Sequence, residues 1–237
     1  MKLNHISAII YKQFIDTLRN KTIILMMFLY PIITFAFVFL SNSSSEIVSS
    51  VSPMLITMHI IMSPIVCFSG VMSEEREKNT LRMLFVSNIN GGEYLIGISS
   101  CLLSFLIAST LPYYFLFSFR SKQATLFFCA SIFGISCSSI IGAIIGILSK
   151  NQSTVGTIAS PVSMVLGLLP IMANFNKLVN KVSSILYSQK IYSIIFSLDN
   201  ASYSYLDRDV FIFTLNIIVL ALAFVIIYSM KGAHIYD

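Results

Sequence analysis

Charge is scarce in this sequence. Of its 237 residues, 11% are Asp, Glu, Lys or Arg, against 56% hydrophobic, and the mean hydropathy is +0.85. A soluble domain carries roughly 25% charged residues, so an ordinary water-soluble domain is excluded. Disorder is excluded by the same numbers and by 19 Phe and 11 Tyr, since disordered chains are polar and poor in aromatics. Alternation of polar and apolar residues is missing too. The apolar residues come in long unbroken runs, which a transmembrane β-barrel does not have. No metal-ligand spacing occurs. The four cysteines, Cys67, Cys101, Cys129 and Cys137, all lie inside apolar runs and read as small buried hydrophobes. There is no G-x-x-x-x-G-K-[ST] phosphate loop, so a Walker-type ATP site is absent from this sequence. No Asp, Glu, Lys or Arg lies deep in an apolar run, which argues against a proton-coupled carrier, a voltage sensor or a charged ion filter.

What is present is a set of runs long enough to cross a membrane, each near the roughly 20 residues a helical span needs. Six are expected: Thr22 to Leu40, Pro53 to Ser73, Tyr94 to Phe119, Thr125 to Ser149, Thr154 to Ala173 and Val210 to Met230. The fold class is therefore all-α, a single polytopic domain over residues 1–237. The first run does not read as a cleaved signal, because 21 residues that look like a helix precede it. Lys2, Lys12, Arg19 and Lys21 stand before the first span, and Ser41 to Ser52 after it holds no Lys or Arg. That contrast predicts a cytoplasmic N-terminus, and an even number of spans predicts a cytoplasmic C-terminus. The net charge of +5 is then topological and implies no nucleic acid.

Residues 1–21 are amphipathic, with Leu3, Ile6, Ile10, Phe14 and Leu18 on one helical face. A helix of this kind before a span is expected to lie in the membrane interface. The inner loop, residues 74–93, opens with the charged run Glu74-Glu75-Arg76-Glu77-Lys78, expected to mark the water boundary. Asn79 or Thr80 can cap a short helix, and Leu81, Leu84 and Phe85 form an apolar patch on it. Asn88 to Gly92 is turn chemistry. An apolar patch with a charged rim is a docking element for a partner.

The fourth span carries small residues four apart: Ala130, Gly134, Ser138, Gly142 and Gly146. That spacing lets helix backbones approach closely, in the same subunit or across a dimer. Pro31, Pro64 and Pro112 are expected to kink spans one to three. Pro161, Gly167 and Pro170 make span five the one expected to be most broken. In the outer segment, residues 174–209, Leu178, Val182, Ile185 and Leu186 form a helical stripe beside Lys177, Lys181 and Lys190. An interfacial or re-entrant helix is expected there. His59 lies inside span two and is a candidate pathway residue, since an ionisable group at membrane depth is a functional hypothesis by default.

The charged cluster leaving span two, the Thr80-Leu81 pair, the short Leu-rich helix and Glu93 before span three resemble the permease subunit of type-2 ABC exporters. Asn79 and Ser87-Asn88 depart from that family's usual Gly and Thr-Pro. The resemblance covers the whole length by layout. It implies six spans, an interfacial N-terminal helix, a coupling helix in residues 74–93 and a long outer segment before span six. It also implies partners: two ABC ATPase subunits that bind ATP and Mg, and a second permease copy, identical or related. No cofactor is then held by this chain. Leu81, Leu84 and Phe85 would anchor the ATPase, with Glu74, Glu75, Glu77, Thr80 and Arg82 beside them. The implied setting is a bacterial plasma membrane with its lipid. The implied activity is ATP-driven export of an amphipathic substrate, a peptide, bacteriocin or antibiotic. An independent secondary carrier or channel is the alternative. An intramembrane protease fits less well, because Glu74-Glu75 is followed by Asn79 and no partner His.

Overall fold

The structure is a computed structural model that describes residues 3–41, 45–78, 91–149, 151–198 and 206–232. Ten helices account for the regular structure of these residues: α1 Leu3–Arg19, α2 Lys21–Leu40, α3 Ser45–Glu77, α4 Gly91–Ala108, α5 Leu111–Phe117, α6 Ser121–Leu148, α7 Gln152–Ala173, α8 Lys177–Ser183, α9 Tyr187–Ser197 and α10 Leu206–Gly232. Six stretches are long and apolar enough to cross a membrane, as expected. The protein is a multi-pass, all-helical membrane protein.

The central element is α3, which packs against α2, α6, α7 and α9. Its Ile60, Ile61, Ile65 and Phe68 meet Leu106 of α4, Ile135 of α6 and Ile191 of α9 in a buried core. α2 and α10 stand at the periphery, and little of either is buried within the chain. Their exposed Leu25, Ile32, Phe35, Val219, Leu222 and Val225 suit a lipid surround, where apolar exposure carries no penalty.

The boundaries correct several expectations. α3 starts at Ser45 and holds Pro53 inside it, whereas the span was expected to begin at Pro53. It also runs through the charged run to Glu77, so those charges sit on the helix instead of ending it. Span three, expected to be one helix kinked at Pro112, is two. α4 stops at Ala108, Ser109 and Thr110 break the chain, and Pro112 falls in the first turn of α5. A proline is favoured there, because its missing N–H would have no helical partner. The span ends at Phe117, before Ser118 turns left-handed at φ 47°.

Span five, expected to be the most broken, is the continuous helix α7 with Pro161 and Pro170 inside it. Neighbouring helices and hydroxyls let membrane helices keep such prolines. The Thr157 and Ser163 hydroxyls donate to the Ser153 and Ser160 carbonyls of this same helix.

Two short helices, α8 and α9, lie in the described part of the segment before the last helix; α10 runs from Leu206, and its apolar stretch Phe211–Met230 matches the expected span. The stripe Leu178, Val182 and Ile185 is exposed and does not pack on the rest of the chain. The buried helix is α9, through Tyr187, Ile191, Tyr192 and Ile195. On α1 the face against the protein is Ile9, Gln13 and Thr17, while Phe14 and Leu18 of the apolar stripe stay about half exposed. Cys67, Cys101 and Cys137 are buried as expected, but Cys129 is exposed.

The small-residue ladder faces inward and packs on this chain's own α3 and α9. A Cβ on Gly142 would sit 2.6 Å from the Ile65 carbonyl oxygen, and one on Gly146 2.5 Å from Met72 Cβ. At Gly134 the obstacles would be Ile60 and Ile191, and Ser138 bonds the Tyr187 hydroxyl at 3.0 Å. Backbone against backbone leaves no room to yield, so Gly142→Leu and Gly146→Leu should each cost more than the roughly 1–3 kcal/mol of ordinary overpacking. Size-exclusion profiles and thermal unfolding in detergent check this. Wild-type behaviour for both would contradict the observed contact.

Candidate functional site

The last turn of α3 gathers contacts from four other helices. Where two helices meet in a tight turn, one ends in free carbonyls and the next begins with free N–H groups, which a cation and a carboxylate are suited to satisfy. The turn between α6 and α7 is such a place. Arg76 Nη1 donates to the Ile147 and Ser149 carbonyls at 2.7 and 3.0 Å, closing the end of α6. Glu77 Oε2 accepts from the Gln152 backbone N–H at 3.0 Å, at the start of α7. Two adjacent side chains of α3 therefore hold both sides of one turn.

The other two glutamates face the opposite way. Glu75 is buried at 7% exposure and pairs with Lys12 of α1. Glu74 accepts from Asn20 Nδ2 at 3.2 Å and pairs with Lys78 on its own helix. Hydrogen bonding and charge from Glu74 raise the Lys78 ammonium above the ordinary lysine pKa. Asn20 also caps α2, its Oδ1 accepting from Thr22 and Ile23 at 3.1 and 3.2 Å. A second tie joins α1 to α4: His5 Nδ1 lies 3.1 Å from Glu93 Oε2, and Glu93 is buried in the first turn of α4. Below it Ile9 packs where Gly97 leaves space.

Of the residues expected to dock a partner, Glu74, Glu75 and Glu77 thus all have partners inside the chain. Thr80, Leu81, Arg82, Leu84 and Phe85 lie outside the described residues. The cluster borders a cavity of about 480 Å³ between α1, the start of α2 and the end of α3.

His59 is set apart from this cluster, buried at 1% exposure. Its Nε2 lies 3.0 Å from Ser109 Oγ, and its Nδ1 3.3 Å from Ser63 Oγ. Ser109 spends its proton on the Leu106 carbonyl at 2.7 Å, so it accepts from Nε2–H. Ser63 Oγ also lies 2.9 Å from the Met26 carbonyl on α2, and its single proton serves either that carbonyl or Nδ1. The imidazole joins α3 to the break between α4 and α5, and the neighbouring Ser63 reaches α2.

Sequence reasoning found the charged run but not the division of labour within it. It missed Lys12 and Asn20 as partners of the run, the binding of Arg76 to the end of α6, and the separate His5–Glu93 pair. The short turn near Lys150 carried a usable signal, because both helix ends there had to be satisfied by some side chain.

Compared with known families, residues 4–197 match the model of the ABC-2 type transporter. No curated protein matches the chain.

Arg76→Ala should strip two carbonyls of a charged donor. Hydrogen bonds to charged groups contribute about 1.5–3 kcal/mol. Its thermal midpoint in detergent should fall measurably, while Lys122→Ala on the exposed start of α6 should leave it unchanged. Equal midpoints for the two variants would show that Arg76 does not close α6.

Proposed function

The chain belongs to the ABC-2 type transporter family as a membrane permease without ATPase activity of its own, and from that premise we propose that it is the permease of an ATP-driven exporter for an amphipathic substrate. ABC-2 permeases function with ATPase subunits. The proposed complex has two ATPases, which hold ATP and Mg, and two permeases. Both termini of this chain are cytoplasmic in this reading, and so is residue 79–90, the coupling segment.

One observation carries the proposal: residues 79–90 leave the helix whose last turn grips α1, the α1–α2 junction, and both sides of the α6–α7 turn. A push on that segment reaches all five helices through short polar contacts. Glu74, Glu75 and Glu77 then serve coupling by holding these helices to α3. Leu81, Leu84 and Phe85, with Thr80 and Arg82, make the docking contact itself.

Two further features support the reading. On α7, Gly156, Thr157, Ser160 and Met164 form an exposed face with small and polar members, which suits a second permease copy better than lipid. Between α2, α3, α5 and α9 lies a mainly apolar cavity of about 390 Å³ that includes Ile56, Leu116, Phe117 and Ser52. A cavity of that size and lining suits the apolar part of an amphipathic cargo.

Docking is tested by Leu84→Asp/Phe85→Asp. Burying a Leu or Phe contributes roughly 1.5–3 kcal/mol, and charge in an apolar cleft adds a penalty. The double variant should insert and fold, seen as an unchanged size-exclusion profile, yet fail to retain its ATPase subunit in a pull-down. Retention at the wild-type level would overturn the assignment of residues 79–90 as the coupling segment.

A further inference from the structure

The cavity beside the charged end of α3 has a feature that coupling does not use. Its ionic side chains fall into two groups. Lys12 pairs with Glu75 and Asp16, and Lys78 pairs with Glu74, so these five carry one net negative charge, and Arg19 and Lys21 bring the lining to one net positive. Arg19, at the end of α1, and Lys21, at the start of α2, also line the cavity, and both are exposed. Among the described residues neither has a carboxylate within ion-pair distance. Two cations therefore flank Asn20 at the mouth of a cavity of about 480 Å³ and lack an anion.

The depth of the site follows from its neighbours. Tyr11, Phe14 and Leu18 on α1 are 69%, 47% and 50% exposed, an apolar face that water would not favour and a membrane boundary would. Ile23, which also lines the cavity, is in the first turn of the first span. The mouth thus opens where lipid headgroups lie. A basic pocket between helix ends at that depth has the chemistry to take a lipid phosphate.

We propose that Arg19 and Lys21 form a binding site for the phosphate of an anionic phospholipid, whose headgroup enters the cavity between α1, α2 and α3. Arg19 supplies a planar fork of donors suited to a phosphate, and Lys21 supplies a point charge. The acyl chains extend along the exposed face of α2. The occupant also lies against Glu74 and Lys78, so the lipid braces the turn from which the proposed coupling segment departs. The lipid site itself stands without the coupling assignment.

Native mass spectrometry of the purified chain tests it, with phosphatidylglycerol, phosphatidylcholine or inorganic phosphate as probe. Phosphatidylglycerol should give one saturable adduct per chain, and phosphatidylcholine and phosphate should not. Two cations near an anionic headgroup should together be worth roughly thirtyfold in affinity. Arg19→Ala/Lys21→Ala should lose the adduct by about that factor. Lys177→Ala/Lys181→Ala, a pair of equal charge on exposed α8, should keep it. An unchanged size-exclusion profile shows that the first double variant is folded. The proposal is overturned if both lipids bind alike, if phosphate alone binds equally well, or if the two double variants lose the adduct equally.

Discussion

The structure depends on one helix end. α3 spans the molecule, and its last turn carries five consecutive charges into a region where four other helices start or stop. Three of them, Glu75, Arg76 and Glu77, each answer a separate need. A buried carboxylate without a cation is strongly unfavourable, so Glu75 ties Lys12 and with it α1 to the bundle. Free carbonyls at the end of α6 need a donor, and the free N–H groups of α7 need an acceptor; Arg76 and Glu77 supply them. These bonds tie α3 to the α6–α7 turn at the water boundary, where Asn151 adds a further cap to α7. The same turn holds the point where residues 79–90 leave α3. In the proposed transporter, that makes it the route by which ATPase movement enters the permease.

Packing inside the bundle gives this route stiffness. Gly142 and Gly146 bring the backbones of α3 and α6 together along the last turns before the charged end. A contact of backbone against backbone has no side-chain freedom to absorb displacement. Further along α3, Ser63 meets the Met26 carbonyl of α2, and His59 meets Ser109 at the break between α4 and α5. The interruption of span three thus sits beside a polar anchor. Candidate cargo space, the apolar cavity containing Ser52, lies beyond it toward the opposite end of α3.

Much of this was legible in the sequence. Six apolar runs gave six candidate spans, because a helix in lipid must be apolar for nearly its whole length. The small-residue ladder on α6 was visible as a spacing of four, though only the structure identifies its partner as α3. Other features were hidden by context. Pro161 and Pro170 look like breaks in isolation, yet α7 is continuous because a membrane helix can satisfy its backbone through neighbours. Ser109 and Thr110 carry no breaker of their own, and the split there follows from Pro112 starting a new helix. On α1 the apolar stripe was clear, but Ile9, Gln13 and Thr17 face the protein, since the partner helix offers Gly97 as a recess for Ile9. Pairings such as Glu75 with Lys12 join residues 63 apart in sequence, and no local pattern reveals them.

The central claim is that the charged end of α3 makes the near ends of α1 and α7 move as one body. Spin labels on Ala8 of α1 and Gln152 of α7, both exposed, report on it in a cysteine-free chain reconstituted with its ATPase. Pulsed electron spin resonance should give the same intramolecular Ala8–Gln152 distance with and without ATP, while the Gln152–Gln152 distance between the two copies changes. An ATP-dependent change in the Ala8–Gln152 distance would contradict the account.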